Sequence, residues 1–281
     1  MCNKLKGPFL SKDFIGANPN YDESKIVMLG MPYDCTCSNR AGTRFGPQAA
    51  RLESIGIETY SVYFDSEMED LNFYDAGDLE YPFGNAQKAL DITEENVDCI
   101  YNDNKKLLGI GGEHLITLAS VKSILKKYDN VAVIQFDAHT DLRKQYLGEE
   151  LTHSGVMYRI AELIGYENIA QIGLRSGEKE EFDIVKKYNT LKTKKEQLDK
   201  FKDKNIFLTI DLDVLDPSLM SGVGTPEAGG LTYLELMDWL MYLKDFNIVG
   251  ADIMELAPDV DTTKTSTATT CKLIREVLNL L

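Results

Sequence analysis

The sequence predicts an α/β fold: a three-layer domain with a mainly parallel central sheet and helices on both faces. Three observations carry that prediction. Short, β-branched apolar runs recur along the chain, near-continuous in apolar character as strands buried on both faces are. Segments with apolar residues at helical spacing lie between them. No linker, repeat or low-complexity stretch breaks the alternation, so residues 1–281 read as a single domain. Alternating strand and helix leads to a parallel sheet covered on both sides.

The first strand falls at 26–30, Ile-Val-Met-Leu-Gly, and is followed by an amphipathic helix at 48–55. A strand at 71–74 leads to a helix at 90–102, and a strand at 107–110 to a helix at 117–128. The strongly apolar strand 131–136 precedes a helix at 156–164; strand 169–174 precedes one at 180–188. Strands 206–210 and 248–254 flank a helix at 233–246. The closing helix, 266–281, carries Leu273, Val277 and Leu281 at helical spacing.

Hydrophobic residues make up 43% and charged residues 27% of the chain, the balance of a soluble globular protein. That composition excludes wholesale disorder, a collagen-like chain and a membrane protein. A domain of 281 residues buries roughly three-quarters of the surface it exposes when unfolded, so it needs no disulfide framework to hold together. The net charge of −15 argues against nucleic acid and anionic membranes, which require a basic surface, and suits a small cationic partner. Solubility alone accounts for the charge equally well. Residues 1–14 contain no apolar core long enough for a signal peptide. No run approaches the ~20 apolar residues of a membrane span. The five scattered cysteines (Cys2, Cys35, Cys37, Cys99, Cys271) read as free thiols of a cytoplasmic protein, and Cys35-Thr36-Cys37 is too short a spacing for the usual redox or zinc pair.

In an open parallel sheet the chemistry sits in loops at the carboxyl ends of the strands. Strand 107–110 runs into Gly111-Gly112-Glu113-His114, and strand 131–136 into Asp137-Ala138-His139-Thr140-Asp141. Strand 206–210 runs into Asp211-Leu212-Asp213, and strand 248–254 into Glu255-Leu256-Ala257-Pro258. If the second of these strands continues, the spacing of two turns Asp137, His139 and Asp141 to one face. Carboxylates crowded into a partly buried pocket are costly unless a cation neutralises them. His114, Asp137, His139, Asp141, Asp211 and Asp213 are too many ligands for one ion and natural for two. Oxygen-rich ligation with some imidazole suits Mn²⁺ better than Zn²⁺, with Mg²⁺ less favoured. A lone Asp after a strand is more often a turn or cap, the reading that fits Asp216 before Pro217. Against that, two of the three histidines fall inside acidic strand-end motifs, and the third, His153, follows shortly after Asp141.

These residues carry a family resemblance. The strand-end motifs, together with Gly224-Thr225-Pro226-Glu227-Ala228-Gly229-Gly230-Leu231 and the upstream Met31-Pro32-Tyr33-Asp34 and Gly42-Thr43-Arg44-Phe45-Gly46-Pro47, resemble the ureohydrolases. That family includes arginase and agmatinase, and the agmatinase branch is the nearest. The resemblance runs from about Ile26 to the last helix and implies an arginase-like fold with two Mn²⁺ per chain. It implies one ion on His114, Asp137, Asp141 and Asp211, the other on His139, Asp137, Asp211 and Asp213, and a bridging hydroxide as nucleophile. The product of attack on a guanidinium carbon is urea and a free amine. Asp141 is implied as the proton donor to the leaving nitrogen, His153 as a proton relay and substrate contact, and Glu255 as the partner of the guanidinium.

Two departures stand out. Relatives usually carry Asp where this chain has Glu113, which bears on the orientation of His114 if that side chain supports it. Ala41 replaces a frequent Pro. The loop 142–151 lacks the Ser-Gly-Asn run of arginases and is similar to agmatinase loops. Agmatine, a dication, suits Glu149 or Glu150 near the mouth. Arg143 and Lys144 leave open a guanidino acid such as 4-guanidinobutyrate, and arginine also stays open. A metal-binding regulatory relative without turnover and a different two-metal hydrolase, such as an amidase, are the rival readings. The family also implies a homotrimer or homohexamer.

Overall fold

The computed structural model describes residues 12–281; the reading of Cys2 and most of the amino-terminal stretch lies outside them. A seven-stranded sheet forms the middle layer. Its strands are β1 (Ile26–Met31), β4 (Phe73–Asp78), β5 (Lys106–Gly111), β6 (Val131–Phe136), β7 (Ile169–Ile172), β8 (Asn205–Asp211) and β9 (Asn247–Met254). A two-stranded antiparallel pair, β2 (Tyr60–Ser61) with β3 (Ser66–Glu67), stands apart. The order in the large sheet is β4-β1-β5-β9-β8-β6-β7, and every pairing in it is parallel.

The central strands are apolar because both faces are covered. On one face α1 (Gly46–Glu53), α6 (Tyr233–Tyr242) and α7 (Thr265–Leu278) pack Ala50, Leu236, Leu240, Leu273 and Val277 against Met28, Ile134, Leu208 and Ile253. On the other, α2 (Ala86–Asn102), α3 (Thr117–Lys127), α4 (Val156–Ile164) and α5 (Lys179–Tyr188) cover Val27, Leu107, Val133 and Phe207. Fully burying such side chains contributes about 1.5–3 kcal/mol each. None of the helices among the described residues is long and apolar enough to cross a membrane.

Every expected strand is present; the strand at Val131–Phe136 keeps its expected bounds and the others have shifted ends. The strand expected at 71–74 lies at Phe73–Asp78. Its polar second half is held by Arg51, which donates to both Asp75 oxygens at 2.8 and 3.0 Å and pairs with Asp78. The strand expected to reach residue 174 stops at Ile172, because Gly173 turns to φ +95°. The helix expected to 246 ends at Tyr242, followed by a 3-10 turn, Leu243–Asp245. The topology fixes where ligands bind. After β5 the chain crosses β9 and β8 to place β6, so the carboxyl ends of these four strands surround the point where the order reverses.

Candidate active site

Each strand end delivers its side chain by a different local device. Behind β5, Gly112 lets two backbones meet: a Cβ there would lie 2.1 Å from the Tyr33 carbonyl oxygen. That contact sets the turn carrying His114, whose N–H donates to Glu255 Oε1 at 2.7 Å. Behind β6 the pleat does not continue. The strand ends at Phe136, and Asp137, His139 and Asp141 converge from a loop instead. That loop is tied to the end of β7 by Asp137 N to the Ile172 carbonyl (3.0 Å), and to the segment after it by Arg175 N to the Ala138 carbonyl (2.8 Å) and Thr140 N to the Ser176 carbonyl (3.2 Å). Asp141 reaches the pocket because its φ is +51°, and its carbonyl accepts from Met157 and Tyr158 at the start of α4. Asp211 is the last residue of β8; Asp213 stands in the 3-10 turn that follows, Leu212–Val214.

The six expected ligands come together. His114 Nδ1 lies 3.1 Å from Asp137 Oδ2, 3.3 Å from Asp141 Oδ2 and 3.3 Å from Asp211 Oδ2. His139 Nδ1 lies 2.8 Å from Asp213 Oδ2 and 3.7 Å from Asp137 Oδ1. Two groups able to hold a cation result, His114–Asp137–Asp141 and Asp137–His139–Asp213, and Asp137 belongs to both. The donor set fits an ion. His114 Nδ1 is buried and makes no hydrogen bond, although three carboxylate oxygens crowd it.

The electrostatics show the same strain. Burial, and then the charge of Asp137, pushes Asp141 up to about 7. Burial, Asp213 and Asp137 hold Asp211 well above the carboxylate range, and burial with Asp137 raises Asp213. Burial also works against charge on Asp137, but His114 and His139 outweigh it and push that carboxyl down. His139 resists burial through Asp137 and Asp213 and rises to about 12; His114 is raised well above its ordinary value by Asp137, Asp141 and Asp211.

A chain of buried hydrogen bonds stands behind Asp137. Thr190 Oγ1 donates to Gln171 Oε1 at 2.7 Å, Gln171 Nε2 to Gln135 Oε1 at 2.7 Å, and Gln135 Nε2 to Asp137 Oδ2 at 2.6 Å. The other Asp137 oxygen accepts from His139 N at 2.6 Å. In the sequence the two glutamines are marked only as polar residues inside apolar strands.

His114, His139, Asp141 and Asp211 line a cavity of about 250 Å³ whose walls also include Tyr146, His153, Glu178 and Glu255. His153 is held by burial near 4 and is therefore neutral at neutral pH. Glu255 follows the last strand at φ +71°, and burial followed by the charge of Glu113 keeps its carboxyl well above the usual range. Glu113 does not hold the His114 ring; its carboxylate accepts from Thr36 N and Thr36 Oγ1. Arg143 faces the cavity but is met by Glu178 at 3.3 Å, Glu181 at 3.6 Å and the Tyr146 ring at 4.9 Å. Glu149 and Glu150 line a separate cavity beside Tyr33 and Asn85, and Lys144 is exposed. Asp216 braces a loop, accepting from Ser218, Gly229 and Gly230 backbone N–H groups, as its cap reading required.

A parallel sheet that brings paired imidazole–carboxylate groups to one cavity is the arrangement of a metal-dependent hydrolase. Residues 24–279 match the arginase family model. The chain is 45% identical over 279 residues to an agmatinase of Bacillus cereus, covering 96% of each, and equally to one of Bacillus subtilis. A crystal structure from Clostridium difficile superposes with a TM-score of 0.90 at 42% identity, over 93% of this chain and 98% of that one. The chain belongs to the arginase family, and it is a ureohydrolase.

Proposed function

We propose that this enzyme hydrolyses agmatine to putrescine and urea with two Mn²⁺ ions, held by His114, Asp137, Asp141 and Asp211 and by His139, Asp137, Asp211 and Asp213. The observation that carries the reading is the pair of groups able to hold a cation, sharing Asp137, whose His114, His139 and Asp141 line the cavity. It occurs in a chain 45% identical to agmatinases over 96% of its length. When bound, the ions supply a water activated near neutral pH as nucleophile.

The chain's own residues do the rest. Glu255 faces the guanidinium and pairs with its charge through a charge-assisted hydrogen bond. Asp141 takes the proton of the attacking nucleophile and passes it to the leaving nitrogen. His153, neutral, accepts a proton and relays it to solvent. For the substrate's far end, Arg143 is already answered by Glu178 and Glu181, so a carboxylate there would have to displace an existing partner. The Glu178 side chain is 58% exposed and leaves negative charge facing a distal ammonium, which favours agmatine over arginine and 4-guanidinobutyrate. A cytoplasmic homotrimer or homohexamer, with residues 1–281 acting as one domain, belongs to the same reading.

Urea release from agmatine, arginine and 4-guanidinobutyrate, and ammonia release from simple amides, with added Mn²⁺, test it. Agmatine is expected to give the highest kcat/KM. Preference for a guanidino acid overturns the substrate assignment, and binding of Mn²⁺ without turnover of any compound overturns the catalytic one.

A further inference from the structure

The loop after β1 reaches the cavity through one buried acid. Glu113, with 0% of its surface exposed, accepts from Thr36 N at 2.7 Å, from Thr36 Oγ1 at 2.5 Å and from the Cys37 thiol at 3.8 Å. The Thr36 hydroxyl has one proton and gives it to Glu113. Its lone pairs then face His153: the His153 backbone N–H donates to Thr36 Oγ1 at 3.0 Å, and ring Nδ1 lies 3.4 Å from the same oxygen. On the other side of the ring, Ser38 Oγ lies 3.1 Å from Nε2.

A hydroxyl that already donates can only accept from its next neighbour. Nδ1 must therefore carry the ring proton, and Nε2 is left with its lone pair, accepting from the Ser38 hydroxyl. We propose that Glu113, acting through Thr36, fixes the Nδ1–H tautomer of His153, making Nε2 the atom that takes the proton during turnover. Thr36 and Glu113 are positioning residues. The inference rests on the proton-relay reading of His153 for its consequence, but not for its geometry. It also explains the longer acid at position 113, because an Asp, one methylene shorter, falls short of Thr36 from the same backbone position.

Two arms test it. The full-length chain holds three histidines, so ¹⁵N-histidine labelling of the protein freed of paramagnetic ions gives few ring signals, and His153→Ala assigns its own. The expected wild-type spectrum shows a protonated Nδ1 and an unprotonated Nε2 for His153. Thr36→Val, which keeps shape and removes the hydroxyl, shifts that ring toward the Nε2–H tautomer, and Glu113→Asp does the same. A wild-type His153 protonated at Nε2, or a Thr36→Val spectrum unchanged at His153, overturns the proposal. In the kinetic arm, Thr36→Val lowers kcat at least about tenfold, a fraction of the roughly 10²–10⁴ that a general acid–base group contributes. KM and metal content hold, and Thr36→Ser recovers most of the loss. In a His153→Ala background the same substitution costs less than about twofold, since both act through one group. An equal loss in both backgrounds makes Thr36 merely structural and also overturns it. If the wild type releases no urea, the relay reading fails while the ring spectrum still decides the tautomer.

Discussion

Glu255→Gln separates recognition of the guanidinium from everything else the residue does. The substitution keeps the side-chain length and one acceptor oxygen, so the hydrogen bond from His114 N, 2.7 Å long, is retained. In the metal-free chain the Glu255 carboxyl is held well above its ordinary value by burial and by Glu113. Burial thus disfavours its charged form, and the neutral amide imitates the form that burial favours. Thermal stability should stay within about 0.5 kcal/mol of wild type, as for a substitution that removes no packed atom or buried bond.

The loss appears when a guanidinium enters. A cation beside the carboxyl draws out its charge, and truncating one partner of such a desolvated pair costs about 2–5 kcal/mol. At about 1.4 kcal/mol per factor of ten, kcat/KM should fall roughly 30- to 3,000-fold. Initial rates of urea release on each guanidino compound the wild type accepts, alongside metal content by elemental analysis, measure both halves. The fold-loss should be equal across compounds, because all present the same guanidinium. A variant with near-normal kcat/KM refutes the reasoning; so does one that loses its metal, which would make Glu255 a support of His114 and no partner of substrate.

Asp137→Asn should lose both ions and activity together. Either orientation of the amide also sets an N–H against a donor, Gln135 Nε2 or His139 N; two tightly bound Mn²⁺ per chain in the variant would sink the bridging role. Gln135→Leu removes the donor behind Asp137 and should weaken Mn²⁺ binding about 10- to 100-fold, as loss of a ligand's supporting hydrogen bond does. An unchanged Kd by metal titration counts against that. Metal binding should expel protons, because His139, near 12, is protonated at neutral pH, His114 is shifted in the same direction, and a ligating imidazole must be neutral. Affinity should therefore rise with pH, and calorimetry in two buffers of different ionisation enthalpy should count at least one proton released; zero would show the imidazoles do not ligate.

What was legible in the sequence follows from how local the physics is. Strands β5, β6, β8 and β9 announced themselves because burial on both faces demands apolar residues throughout, and the acids after them stood out against that background. β4 was misplaced because Asp75 and Asp78 are acceptable in a strand only with Arg51, 24 and 27 residues away, to receive them. The grouping of Asp137, His139 and Asp141 was right for a wrong reason: the pleat stops, and pairing to the loop after β7 does the gathering. Thr36 and His153 are 117 residues apart, and neither carries a local mark of the other. The resemblance supplied roles for single residues; it gave no sign of the bonds that hold them.

The two acids assigned a part in the reaction, Asp141 and Glu255, are also the site acids with the least comfortable backbone. Asp141 sits at φ +51° and Glu255 at φ +71°, where a residue other than glycine costs about 1–3 kcal/mol. Glycine would remove that cost at either position and remove the carboxyl with it. Both carboxyls are buried as well, Asp141 at 7% and Glu255 at 8% exposure, so each is held in a conformation and a medium that disfavour it. Pairing with His114 and His139 offsets part of the charge, but burial still favours a proton on Asp141, Asp211 and Glu255 until a cation arrives. Ions and guanidinium are both cations. Relief of the cost of burying these like charges therefore favours binding a positively charged substrate beside the ions, while the backbone cost is the same before and after.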